Sequence, residues 1–206
     1  MHGVIERYVQ ELVGVIRSLP LQEIEAAADL LLACYRRGGT IFVLGNGGSA
    51  ATASHLACDL SKGTLIDGLP PIRVMPLTDN VPLLTAWGND VGYDVVFARQ
   101  LGALVRPGDT VVTISVSGAS PNVLAATHVA RQHGASTIAL TGQDGGSLFR
   151  LSDVTVRVPT ASMEQAEDVH LAIVHTLCVA LRDKLRADVA ERNPQSRSPQ
   201  QAPLHV

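Results

Sequence analysis

The chain is poor in aromatics and cysteine and has no long apolar run. Aromatic residues are 3% of its 206 residues, which argues against base stacking as a main binding mode. Sixteen lysines and arginines face 19 aspartates and glutamates, a net charge of -3. No general basic field therefore draws it to nucleic acid or anionic lipid. Cys34, Cys58 and Cys178 are odd in number, widely spaced and without a CxxC. That excludes a disulfide framework and fits a reducing compartment, with all three expected as small buried hydrophobes. No apolar stretch reaches the roughly 18 residues of a membrane span. The opening "MHGVIERYVQ" carries charges where a signal peptide needs an apolar block. The expectation is a cytoplasmic protein with neither nucleic acid nor membrane as partner.

What is present is a 46% hydrophobic chain, long enough for one domain with a sizeable core. Residues 4–18 place Val4, Ile5, Tyr8, Val9, Leu12, Val13 and Ile16 at helical spacing. That stripe is broad for so short a helix and suits packing against another subunit. A second helix, "LQEIEAAADLLLACYRRGG", ends in Arg36, Arg37 and two glycines, a cationic last turn followed by a stop. Strands are then predicted at 40–44, 71–77, 110–116, 136–142 and 154–159. Helices are predicted at about 48–62, 81–89, 94–105, 120–134 and 163–185. Alternation of short β-rich runs with helices implies an α/β fold, a parallel sheet flanked by helices on both faces. The domain is placed at 1–186, with N-terminal helices, and the proline-, glutamine- and serine-rich segment 187–206 is expected to be a disordered tail.

Two loops stand out. "LGNGGSAA" leaves a strand and opens a helix. Its glycines permit tight turns and close ligand approach, and amides at a helix start attract anions. The lysine of a P-loop is missing, which disfavours triphosphate hydrolysis. The letters also satisfy a loose dinucleotide pattern, but Asp79 lies too far along to serve the ribose. The second loop, "TISVSGASPNV", offers Ser115, Ser117 and Ser120 before Pro121. Ser120 there reads equally well as a helix N-cap. Two such loops at strand C-termini, rich in hydroxyls and free of clustered lysine, point to one phosphate monoester on a small polar molecule.

His55 and Asp59 are i and i+4 on the helix after the first loop, hence on one face. Glu167 and His175 share a face of the last helix, with Leu171 between them and Glu164 at the start of the stripe. Two histidines and two carboxylates brought together can bind a divalent metal or move protons between carbon and oxygen. Asp168 and His170 are expected to be surface groups.

"GNGGSAATASHLACDL", "GNDVGYD", "ISVSGASPNV", "ALTGQDGG" and "EDVHLAIVH" together resemble the sugar isomerase (SIS) domain family over about residues 4–185. The nearest branch is the phosphoheptose isomerases, which interconvert sedoheptulose 7-phosphate and D-glycero-D-manno-heptose 7-phosphate. The resemblance implies a five-stranded parallel sheet in a three-layer sandwich, and a homotetramer with sites between subunits. It implies that Ser49, Ser115, Ser117 and Ser120 bind phosphate, that Asn46 and Gly47 line the sugar, and that Asp90 is an active-site aspartate. It implies one zinc per subunit on His55, Asp59, Glu167 and His175, with His175 as catalytic acid and base. The chain departs from the pattern at Asp59, where the family usually has glutamate, and at Glu167, where it usually has glutamine. Gly63, beside Lys62, replaces a frequent arginine. Aspartate is one methylene shorter, about an ångström at the reacting carbon, which leaves Asp59 and Glu167 both as candidate bases. The implied activity is aldose–ketose isomerisation through an enediol. The alternative is a non-catalytic phosphosugar-binding regulator, or a partner of the bacterial replication initiator.

Overall fold

A computed structural model describes residues 2–192. Two helices lead the chain, α1 (His2–Arg17) and α2 (Leu21–Arg36). The sheet is built from β1 (Thr40–Gly45), β2 (Arg73–Pro76), β3 (Thr110–Ile114), β4 (Ser136–Thr141) and β5 (Val154–Arg157). Between the strands lie α3 (Gly48–Cys58), α4 (Val81–Asp90), α5 (Val96–Gly102), α6 (Pro121–Gln132) and the single turn α7 (Leu148–Leu151). The long helix α8 (Met163–Arg192) closes the chain.

All strand pairs are parallel, in the order β2-β1-β3-β4-β5. Alternation within each strand divides the core between two faces. Ile41 and Val43 of β1 pack with α2, α3 and α8, whereas Phe42 and Leu44 pack with α5 and α6 on the other side. Burying each such side chain contributes about 1.5–3 kcal/mol, so the central strands, apolar on both faces, need helices over both. The order reverses between β1 and β3. In open sheets of this order that reversal is the ligand crevice, at the strands' C-terminal ends.

Two expectations are corrected. The last helix continues to Arg192, past the boundary expected at 186. Arg186, Ala187 and Ala190 are good helix formers, Leu185 is buried, and Asp188 accepts two hydrogen bonds from Arg36 at 3.0 and 2.8 Å. The rest of the expected tail, 193–206, lies outside the described residues. The cysteine expectation fails at one position: Cys34 and Cys178 are buried, and Cys58 is exposed.

The helix α1 leans on α8 by only a few residues. Tyr8 donates a 2.6 Å hydrogen bond to Asp168, which raises the phenol to about 12. The opposite stripe, Val4, Ile5, Val9, Val13 and Ile16, stays exposed. Among the described residues, no helix is long and apolar enough to cross a membrane.

Candidate active site

The loop after β1 and the loop after β3 converge at the switch point. Gly47 takes a positive φ of 55° before α3, a conformation glycine adopts without the strain a Cβ brings. Ser49 then falls in the first turn of α3, where amides lack intrahelical acceptors. Ser115, Ser117 and Ser120 follow β3. Ser120 occupies the N-cap position of α6 and Pro121 the first helical one, yet the Ser120 side chain makes no capping bond. Its hydroxyl lies 3.2 Å from that of Ser115, which is 3.4 Å from that of Ser117. Capping therefore does not account for these serines; their hydroxyls cluster. With Asn46, Ser49, Met163 and Glu167 they line a pocket of about 150 Å³, which no lysine or arginine lines.

The second centre lies on α3 and α8. His55 Nε2 is 2.8 Å from His175 Nε2. Asp59 Oδ2 is 3.4 Å from the first and 3.6 Å from the second. Asp59 Oδ1 has no hydrogen-bond partner among the described residues. At Asp59 the helix passes into a five-residue π segment, Asp59–Gly63, a distortion frequent at functional sites. Cys178 of α8 donates its thiol to the Asp59 carbonyl at 3.5 Å. Burial, with the Asp59 charge adding to it, raises that thiol's pKa.

Two imidazole nitrogens and a carboxylate oxygen are a donor set that could hold a divalent metal ion such as zinc. Tetrahedral coordination at 2.0–2.1 Å separates ligand atoms by about 3.3 Å, close to both histidine–aspartate edges, whereas the histidine nitrogens at 2.8 Å would have to part by about half an ångström. The three atoms all lie within 4.8 Å of one another.

Glu167 is not part of that cluster. A Cβ on Gly48 would lie 2.5 Å from Glu167 Oε2, so the carboxylate rests over the first loop, at the serine pocket. Glu167 precedes His175 by eight residues, about 12 Å along a helix. Asp90 sits exposed at the end of α4, a helix with no buried residue, and its carboxylate accepts only from the neighbouring Asn89, at 2.9 Å. Of the expected set, the serines, Asn46 and Glu167 come together, as do His55, Asp59 and His175; Asp90 joins neither group.

Asp168 is a surface group as expected, and His170 is not. His170 is fully buried and donates Nε2–H to the Thr141 carbonyl at 3.1 Å. Its Nδ1 has no partner. Burial lowers its pKa, partly offset by the carbonyl.

Asn122 and Tyr93 were not foreseen. Asn46 and Asn122 exchange two 2.9 Å amide hydrogen bonds, and the Tyr93 hydroxyl donates to Asn46 Oδ1 at 3.0 Å. Asn122 stands one residue after Pro121 in the second loop's helix, a position the loop pattern points to. Tyr93 lies in the "GNDVGYD" stretch, where only Asp90 is singled out from the sequence.

A family model for the SIS domain matches residues 6–142. The phosphoheptose isomerase of Rhodospirillum rubrum is 44% identical over 162 residues, covering 79% of this chain and 86% of that protein. The chain belongs to the SIS domain family, in its phosphoheptose isomerase branch. The phosphoheptose isomerase of Syntrophotalea carbinolica is 40% identical to this SIS protein, covering 88% of it and 93% of the relative. The solved phosphoheptose isomerase from Neisseria gonorrhoeae superposes on the SIS fold with a TM-score of 0.81 at 33% identity, covering 87% and 98% of the two chains.

Proposed function

We infer that this protein is an aldose–ketose isomerase that interconverts sedoheptulose 7-phosphate and D-glycero-D-manno-heptose 7-phosphate. The observation that carries the reading is that α8 bears both groups, Glu167 at the serine pocket and, eight residues on, His175 in the cluster with His55 and Asp59. The distance suits a phosphate at one end of a chain of several carbons and a carbonyl at the other.

The phosphate is held by the Ser49, Ser115, Ser117 and Ser120 hydroxyls and the first amides of α3, a dipole-assisted anion site. Asn46 and Gly47 face the sugar, with Asn46 fixed by Asn122 and Tyr93. Asp59 is the base: Oδ2 is turned to the histidines, and Oδ1 is left to take the proton next to the carbonyl. His175 moves protons between the two oxygens of the enediol, as an imidazole can both donate and accept one. Glu167, beside the serine pocket, contacts sugar hydroxyls; close to a dianionic phosphate its own charge would be unfavourable. His55, Asp59 and His175 would hold a zinc ion, one per subunit, which when bound would supply Lewis-acid polarisation of the carbonyl.

The active form is a cytoplasmic homotetramer with sites at subunit interfaces. Supporting this are the exposed apolar stripe of α1 and the unburied α4, which leaves Asp90 free to complete a neighbour's site.

The test is steady-state isomerisation of sedoheptulose 7-phosphate by wild type and by Asp59→Asn, Glu167→Gln and His175→Ala. Asp59→Asn and His175→Ala are expected to lose turnover by roughly 10²-fold or more, with Glu167→Gln acting mainly on KM. Turnover at wild-type level in all three would remove the assignment.

A further inference from the structure

We propose that a cleft at the N-terminal edge of the sheet, opposite the serine loops, binds a diphosphate group. The cleft measures about 700 Å³, within the range of small-molecule sites. Arg37, Arg73 and Arg106 line it from three different segments, with Asp109, Met75 and Leu104. It lies at the starts of β1, β2 and β3. The serine pocket lies at the other ends of β1 and β3, and the six residues of β1 put the two roughly 20 Å apart.

Its cations lack counter-charges. Arg36 pairs with Asp188 and Arg131 with Asp153, whereas none of the three cleft arginines has an ion-pair partner among the described residues. Among the described residues Asp109 is the only acid in the lining, and it is 6% exposed. Its oxygens accept from the amides of Thr40 and Arg106, both at 2.7 Å. That carboxylate serves to hold two loops rather than to neutralise guanidinium. Arg37 donates to the Gly108 carbonyl at 3.3 Å, which ties the same two loops again. The rim is thus fixed before any ligand arrives, and preorganisation lowers the cost of binding.

The chemistry selects the ligand class. Guanidinium forks match phosphate oxygens bidentately. A phosphomonoester brings about -1.5 to -2 charges, short of three arginines, and a diphosphate brings more. Met75 and Leu104, both around two-fifths exposed, add an apolar wall. Arg73 and Met75 are i and i+2 on edge strand β2, hence on one face. That wall fits the organic part of a nucleoside diphosphate; inorganic pyrophosphate would use the arginines alone.

Calorimetric titration of the full chain tests this with ADP, AMP and inorganic pyrophosphate as probes. ADP or pyrophosphate is expected to bind at least about tenfold more tightly than AMP, and Arg73→Ala/Arg106→Ala to weaken that binding by roughly tenfold or more. Both arginines are exposed, so this variant should fold and keep wild-type isomerase turnover. Ser115→Ala/Ser120→Ala should bind the probe unchanged, which separates the cleft from the serine pocket. Tighter ADP than pyrophosphate assigns the site to a nucleotide, and the reverse order to inorganic diphosphate. The proposal is overturned if neither binds, if AMP equals them, if the arginine variant binds normally, or if the serine variant loses binding.

Discussion

His55 and His175 face each other through their Nε2 atoms at 2.8 Å, from helices 120 positions apart in the chain, with one oxygen of Asp59 beside both. With the ring protons on the Nδ1 atoms, both Nε2 lone pairs and the Asp59 oxygen can be offered to a single cation. Each of His55→Ala and His175→Ala is therefore expected to lower zinc bound per chain to near zero, as read by elemental analysis of dialysed protein. Chelation of the wild type should abolish turnover, and zinc should restore it.

Gly48 and Gly118 are expected to respond differently to alanine. A Cβ at Gly48 meets the far end of Glu167, which can swing away. Gly48→Ala should keep its melting temperature within a few degrees and reproduce the KM change of Glu167→Gln. A Cβ at Gly118 meets the backbone of Gly145 and Gly146 from a φ of +61°. Gly118→Ala should therefore destabilise the fold by about 1–3 kcal/mol, measured by denaturant unfolding.

His170 gives the protein an acid-sensitive element. Its pKa is lowered by burial, so below the ordinary histidine value near 6.5 the unfolded chain binds a proton that the folded chain refuses. Stability from this group is complete above that value and is lost as pH falls. Wild type should lose more melting temperature between pH 7 and pH 5 than His170→Gln, and equal losses would contradict the argument.

The main strands were legible because they are short β-rich runs bounded by glycine and proline, as at 40–44 and 110–114. The loops were legible because glycine and serine at strand ends have few other uses. The turn at 148–151 and the π segment at 59–63 are too short to show periodicity. His170 was misread because helical spacing cannot reveal that the Thr141 carbonyl, 29 residues away, accepts from its Nε2–H and lets the ring be buried. The shared face of Glu167 and His175 was readable; that the first lies at the loop and the second beside His55 and Asp59 depends on how α8 crosses α3.

The exposed stripe of α1 predicts assembly through this helix. Val9 and Val13 are 53% and 41% exposed and touch no core. Val9→Glu/Val13→Glu should reduce the mass measured by light scattering from the four chains of the proposed tetramer to fewer, and, if sites lie between subunits as proposed, turnover should fall with it. Unchanged mass would mean that the subunits meet elsewhere.

The most direct measurement is a crystal structure with sedoheptulose 7-phosphate bound. The account predicts the phosphate within about 2.7–3.2 Å of the Ser49, Ser115, Ser117 and Ser120 hydroxyls, and the carbonyl end beside Asp59 and His175. A sugar lying in the opposite direction, or a phosphate held away from both serine loops, would contradict it.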